Sequence, residues 1–233
     1  MGSGPASQSF PRAQRLAVSV VLFDLDGTLA DSAGDLAHAV NTMREHRGMA
    51  PVAVESLRPH ASAGARGLLG SGMGVTPDDP DYPLLRDEFL ANYAAGLARS
   101  TRLFDGVPEL LEALDARRVR WGIVTNKAAR FTAQVVAALG LAGRAATVVS
   151  GDTAARPKPH PEPLLHAAAA LGVQADACVY VGDDLRDVTA GNAANMPTIV
   201  ARYGYLGGDT DPSSWPATGS IEHPLDLLDW LPG

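Results

Sequence analysis

The stretch VVLFDLDGTLADS, residues 20–32, decides the fold. Four apolar residues, Val20, Val21, Leu22 and Phe23, run without alternation into Asp24, and Asp26 follows two residues on. A continuous run of this kind reads as a strand buried on both faces, as in a parallel sheet. Two carboxylates at the exit of such a strand need a reason, because burying charge without a partner is costly. Side chains at i and i+2 of an extended segment share one side, so Asp24 and Asp26 can face one ligand. Gly27 lets the chain turn sharply away behind them.

Runs of the same type recur at 119–126 (VRWGIVTN), 146–151 (ATVVSG), 177–183 (ACVYVGD) and 198–202 (TIVAR). Helical segments read between them at 108–117, 128–139, 161–171 and 185–194. Pro108 suits a first helical turn, and Gly140 and Gly172 suit C-terminal caps. Alternating strands and helices predict an α/β fold with a doubly wound parallel sheet. Residues 33–101 break the alternation. They carry helical stretches at 33–47 and 82–99 around a glycine-rich passage, ASAGARGLLGSGMG (61–74). The simplest reading is a core over 16–32 and 102–233 with a small helical cap inserted over 33–101. Residues 1–15 read as a disordered tail. The Gly- and Pro-rich end from Gly204 reads as a wrap over the core, with a short helix near Pro224–Trp230.

Composition narrows the function classes. The chain has 233 residues, and 26 acidic against 19 basic side chains give a net charge of −7. That argues against nucleic acid or an anionic membrane as the partner. Cys178 is the single cysteine, so no intrachain disulfide forms, which fits a reducing compartment. The first fifteen residues lack the apolar run of a signal peptide, and no stretch approaches 18 apolar residues. The reading is a soluble cytoplasmic protein acting on a small molecule.

Ligands of open parallel sheets bind beyond the carboxyl ends of the strands. There the runs present Asp24 and Asp26, Thr125 and Asn126, and Asp183 and Asp184, with Asp187 one helical turn later. Lys158 stands in the proline-stiffened ARPKPHPEP. Clustered carboxylates need a compensating cation, and the oxygen-only set Asp24, Asp26 and Asp183 suits Mg²⁺. Lys158 and Thr125, with backbone N–H groups around Asp26, Gly27 and Asn126, suit a phosphate. A metal-neutralised carboxylate can serve as nucleophile, and a second can protonate a leaving alcohol. Asp24 and Asp26 are the candidates for those two roles. Taken singly, each residue also has a plainer reading: Asp-Gly is a common turn, Thr125 can cap a helix, and Lys158 can be a solvated surface lysine.

DLDGT (24–28), Thr125, Lys158 and GDDLRD (182–187) resemble, in order, the four motifs of the haloacid dehalogenase superfamily of phosphatases. The resemblance covers about residues 18–205. It implies a Rossmann-like core, Mg²⁺ dependence and an aspartyl-phosphate intermediate. Carried over by position, it makes Asp24 nucleophile and metal ligand, and Asp26 acid/base and a metal ligand through its carbonyl. Thr125 and Lys158 hold the phosphoryl group, and Asp183 binds metal. Asp187 supports Lys158 or a metal-bound water, and Asp184 lies behind them. The insert resembles the cap of the phosphoglycolate phosphatase-like branch. LFDG (103–106), WGIVTNK (121–127) and ARYGY (201–205) resemble two groups within it, acting on phosphoglycolate and on N-acetylmuramic acid 6-phosphate. Both substrates carry a carboxylate, for which Arg66 in the glycine-rich passage is a bidentate candidate. The expected partner is a small phosphorylated metabolite and the expected state a monomer or homodimer. The rival classes are a receiver-like phospho-accepting module and a sugar phosphomutase. The insert of about 70 residues, far beyond ordinary loop length, speaks against the first.

Overall fold

In the computed structural model, residues 15–207 and 210–232 are described. The expected tail therefore lies, but for Arg15, outside the described residues. Among the described residues, eight strands and eight α-helices follow one another. They are β1 (Val20–Phe23), β2 (Ala30–Asp31), α1 (Ala33–Glu45), α2 (Val54–Leu57), α3 (Gly64–Met73), α4 (Tyr82–Gly96) and β3 (Arg102–Leu103). Then come α5 (Val107–Ala116), β4 (Arg120–Val124), α6 (Ala129–Ala138), β5 (Val148–Val149), α7 (Glu162–Leu171) and β6 (Cys178–Gly182). The chain ends with α8 (Leu185–Ala193), β7 (Thr198–Ala201), β8 (Gly219–Ile221) and a 3₁₀ turn over Pro224–Asp229.

Six strands form one sheet in the order β5-β4-β1-β6-β7-β8. Every pairing in it is parallel, with Val20 beside both Arg120 and Cys178. The unbroken VVLF run is explained by burial on both faces. Val21 and Phe23 pack with Leu110, Leu114 and Val135 of α5 and α6. Val20 and Leu22 pack with Leu164, Ala167 and Ala190 of α7 and α8. Each such side chain contributes roughly 1.5–3 kcal/mol of burial, so the strand that ends in carboxylates is held firmly from both faces. Successive strands move outward on one side of β1 through β4 and β5, and on the other through β6, β7 and β8. The sheet therefore reverses its winding at β1, where a crevice opens beyond the strand ends.

Three regions depart from the sequence reading. β8 lies in the Gly- and Pro-rich end and adds an edge strand of three residues, too short for a hydrophobic pattern. β2 and β3 pair as a two-residue antiparallel ladder, Ala30 opposite Leu103 and Asp31 opposite Arg102. The glycine-rich passage is mostly helix α3 rather than loop. Gly72 shows why a helix tolerates glycine there: a Cβ at that position would stand 2.4 Å from Val40 Cγ1 of α1. The entropic cost of glycine in a helix is offset by close packing of α3 on α1.

The helices between β2 and β3 carry their own hydrophobic cluster. Leu36, Val40 and Met43 of α1, Leu68 and Leu69 of α3, and Phe89 and Tyr93 of α4 form it, with Phe131 and Tyr205 reaching in from the sheet side. Buried Asp35 ties the two chain crossings together. It accepts hydrogen bonds from Ser100 N and Oγ (2.8 and 2.6 Å) and from Thr101 N and Oγ1 (3.2 and 2.6 Å).

Candidate active site

A cavity of about 430 Å³ opens at the switch point. Asp24, Asp26, Thr125, Asn126 and Lys127 line its floor, and Ala61 to Ala65, Phe89 and Leu90 line the facing wall. The backbone ladder holds the floor: Asp24 N donates to Val181 O at 2.9 Å, and Thr125 N to Val149 O at 2.9 Å.

Lys158 is the hub of the buried charges. Its ammonium donates to Asp187 Oδ1 and to Tyr180 Oη, both at 2.7 Å. It also stands 2.9 Å from Asp24 Oδ1, at an angle that leaves that buried oxygen without a hydrogen bond. Burial disfavours the lysine's charge, yet Asp187 and Asp24 together hold its pKa above the ordinary value. Burial pushes the Asp24 carboxyl up to about 6, against the pull of Lys158. Asn126 spends its side chain on the Lys158 backbone, donating to its O and accepting from its N, both at 2.9 Å. The residue thus fixes the Lys158 loop, leaving only its main chain for a ligand.

Asp183 sits in a cradle. Thr28 Oγ1 donates to its Oδ1 at 2.9 Å, and Ser62 Oγ and Tyr205 N donate to its Oδ2 at 2.9 and 3.1 Å. Burial first, then the charges of Asp24 and Asp187, hold its carboxyl well above the usual range, outweighing the donors. Gly27, with φ +91°, passes so close that a Cβ would lie 2.2 Å from Asp183 Oδ2. Gly27 therefore makes room for Asp183 rather than lining the cavity.

Oxygens of Asp24, Asp183 and Asp187 all lie within 4.8 Å of one another. Three buried carboxylates facing one lysine, two with raised pKa and one oxygen left unbonded, are short of positive charge. An oxygen-only set of this kind accepts a hard divalent cation. Asp187 is the least free of the three, since Oδ1 is bound by Lys158 and Oδ2 by Asp184 N in a capping box on α8. Asp184 itself caps α8 and holds Arg186 through Nε at 2.8 Å. That pairing keeps its carboxyl below the ordinary value, despite burial.

Asp26 points elsewhere. Both its oxygens lie 3.0 Å from Lys127 Nζ, and Ser32 Oγ donates to Oδ1 at 2.5 Å. Lys127, Ser62, Tyr180 and Arg186 are the residues that sequence reasoning missed. Lys127 had one available signal, its place two residues after Thr125. Tyr180 looked like any buried strand aromatic. The structure places Arg66 apart from the Asp24 cavity. It is exposed on α3 and borders a neighbouring cavity with His60 and Trp215, not the one holding Asp24. The guanidinium groups at the Asp24 cavity belong to Arg130 and Arg186 instead. Arg186 also reaches across to Ser62 O at 2.6 Å, so it forms part of the wall between the two cavities.

Residues 21–201 match the family model of the haloacid dehalogenase-like hydrolases. The chain belongs to that family. The hydrolase is 39% identical over 218 residues to the N-acetylmuramic acid 6-phosphate phosphatase of Pseudomonas aeruginosa, covering 94% of this chain and 96% of that one. It is 45% identical over 223 residues to the phosphoglycolate phosphatase of Xanthomonas campestris pv. campestris, covering 96% of each. A haloacid dehalogenase-like hydrolase from Streptococcus pneumoniae superposes with a TM-score of 0.76 at 18% identity, over 91% of this chain and 97% of that one. The hydrolase is a phosphatase, and the receiver-module reading falls away. No described helix is long and apolar enough to cross a membrane.

Proposed function

We propose that the protein is a Mg²⁺-dependent phosphomonoesterase for a small carboxylated phosphate ester, with 2-phosphoglycolate as substrate. The observation that carries this reading is Asp24, buried at the floor of the cavity beside Lys158 and among acids that accept a divalent cation. Asp24 and Asp183, with the Asp26 carbonyl, would hold Mg²⁺, which when bound neutralises carboxylate and phosphate charge. A free Asp24 oxygen attacks phosphorus and forms the aspartyl-phosphate, while Asp26 gives its proton to the departing alkoxide. Asp26 then takes a proton from water as that water attacks phosphorus, and Asp24 is released. Lys158 and Thr125 hold the phosphoryl oxygens, and Asp187 keeps Lys158 in place. Residues 16–32 and 102–233 act as the core and 33–101 as the cap that excludes water. We place the enzyme in the cytoplasm, as a monomer or homodimer.

A second reading has support of its own. The cavity of about 430 Å³, walled by Phe89, Leu90 and Phe131, is roomy for a two-carbon acid and suits N-acetylmuramic acid 6-phosphate. Phosphate release from the two esters, side by side with and without Mg²⁺, tests both. A kcat/KM advantage of about a hundredfold, roughly 2.7 kcal/mol, assigns the substrate. Mg²⁺-dependent hydrolysis of p-nitrophenyl phosphate with neither ester turned over would keep the chemistry and overturn the carboxylate argument.

A further inference from the structure

We infer that Lys127 is a positioning residue that links helix α4 to the carboxylate of Asp26. The inference rests on the acid/base reading of Asp26. Its geometry has three parts. The Lys127 backbone is pinned: its N donates to Thr125 Oγ1 at 3.2 Å, and its O accepts from Gly151 N at 2.8 Å and Thr132 Oγ1 at 3.0 Å. Its ammonium holds both Asp26 oxygens at 3.0 Å, which orients the carboxylate plane as a single contact would not. The same ammonium stands 4.7 Å from the centre of the Tyr93 ring on α4. Tyr93 is in turn wedged against Phe131, with ring centres 5.3 Å apart and an edge-on approach.

The side chain of Lys127 is only 6% exposed and that of Asp26 15%. Such a pair is little screened by water, and its geometry matters. Proton transfer to a leaving oxygen needs the donor at a set place and angle. Lys127 supplies the angle, and Tyr93 supplies the place of Lys127. The ring comes from the segment facing the substrate, so the acid/base and the substrate's wall are aligned through one ammonium.

The test compares esters with different demands for an acid. p-Nitrophenol leaves without help; an alkoxide does not. The readout is the ratio of kcat/KM on the better alkyl ester, 2-phosphoglycolate or N-acetylmuramic acid 6-phosphate, to kcat/KM on p-nitrophenyl phosphate, at saturating Mg²⁺, because kcat/KM covers the steps through release of the alcohol and leaves out the hydrolysis that both esters share. Asp26→Asn should lower the ratio about a hundredfold. Lys127→Met should lower it about tenfold, Tyr93→Leu about threefold, and Tyr93→Phe, which keeps the ring and loses only the hydroxyl beside Lys127, by less than Tyr93→Leu. In the Lys127→Met background, Tyr93→Leu should add nothing. A general loss of structure would slow both esters alike and leave the ratio unmoved. If Lys127→Met fails to fold, Tyr93→Leu against Tyr93→Phe carries the test. If Asp26→Asn lowers the ratio and the Lys127 and Tyr93 variants do not, the inference alone is overturned. If Asp26→Asn leaves it unchanged, the acid/base reading falls and takes the inference with it.

Discussion

The mouth of the sheet and the helices that face it solve different problems. At the mouth, each polar residue stands where a buried strand ends: Asp24 after β1, Thr125 after β4, Asp183 after β6. Their positions are set by ladder hydrogen bonds and a two-sided core. On the facing wall, Ala61, Ser62, Phe89 and Leu90 are placed by helix packing, where α3 lies on α1 and α4 on both. The first region places charges within a few ångströms, as bond-making chemistry needs. The second offers a shaped, mostly apolar surface, as selection among esters needs. The comparison predicts that floor substitutions change the rate by orders of magnitude, and wall substitutions change affinity by small factors.

The strongest attempt to break that contrast is Asp24→Asn. Phosphate release should fall by about four orders of magnitude or more, as loss of a nucleophile does elsewhere. The melting temperature without metal should hold or rise, because a buried charge has gone. Easily measured turnover in the variant would refute the covalent route. Next comes Lys158→Met, which leaves Asp24 and Asp187 facing each other uncompensated. Breaking a buried pair in this way costs about 3–5 kcal/mol, visible as a large drop in melting temperature besides lost activity. A variant as stable as the parent would mean that the hub carries no structural weight.

Acidity offers a third test. The Asp24 carboxyl rises from 3.8 to about 6 on folding, so the native state binds its proton more tightly than the unfolded chain does. Metal-free protein should therefore lose stability as pH rises from about 4 to 6, by roughly 3 kcal/mol at most. In chelator it should melt higher at pH 5 than at pH 7.5, and added Mg²⁺ should restore the loss at pH 7.5. A melting temperature in chelator that rises over this range would contradict the site's charge shortage. The smallest effect belongs to the wall and rim. Arg130→Ala should raise KM for a carboxylated ester several-fold and leave kcat nearly unchanged, whereas Arg66→Ala should change neither by more than about twofold. The reverse ranking would return Arg66 to the substrate.

The same contrast explains what the sequence could tell. Strand ends are local facts, so Asp24, Asp183 and Lys158 were legible from buried runs and the polar residues that close them. Helix ends were legible too: Gly140 and Gly172 adopt φ +70° and +68°. The wall was not. Glycines in 61–74 look like loop until Val40 is seen pressing on Gly72, a contact across some thirty residues. Arg66 lies on a helix that the sequence reading did not give, and one turn of a helix decides which cavity a side chain borders. Lys127 needed both Asp26 and Tyr93 in place before its role had meaning. Two-residue strands such as β2 and β3 are below the reach of any periodicity.

That short ladder has a further consequence. Its strands lie about 5 Å apart, and Asp35 clasps the chain just beyond them, so exit and return form a single gate. To the sheet, everything between Ser32 and Thr101 is the content of one hairpin loop. Lengthening such a loop costs only a logarithmic entropy. The segment is thus joined to the sheet at one pair of crossings, and it reaches the strand-end acids through Ser62, on Asp183, and Tyr93, beside Lys127. Any other segment loaded between those two crossings would have to bring its own partners for Asp183 and Lys127.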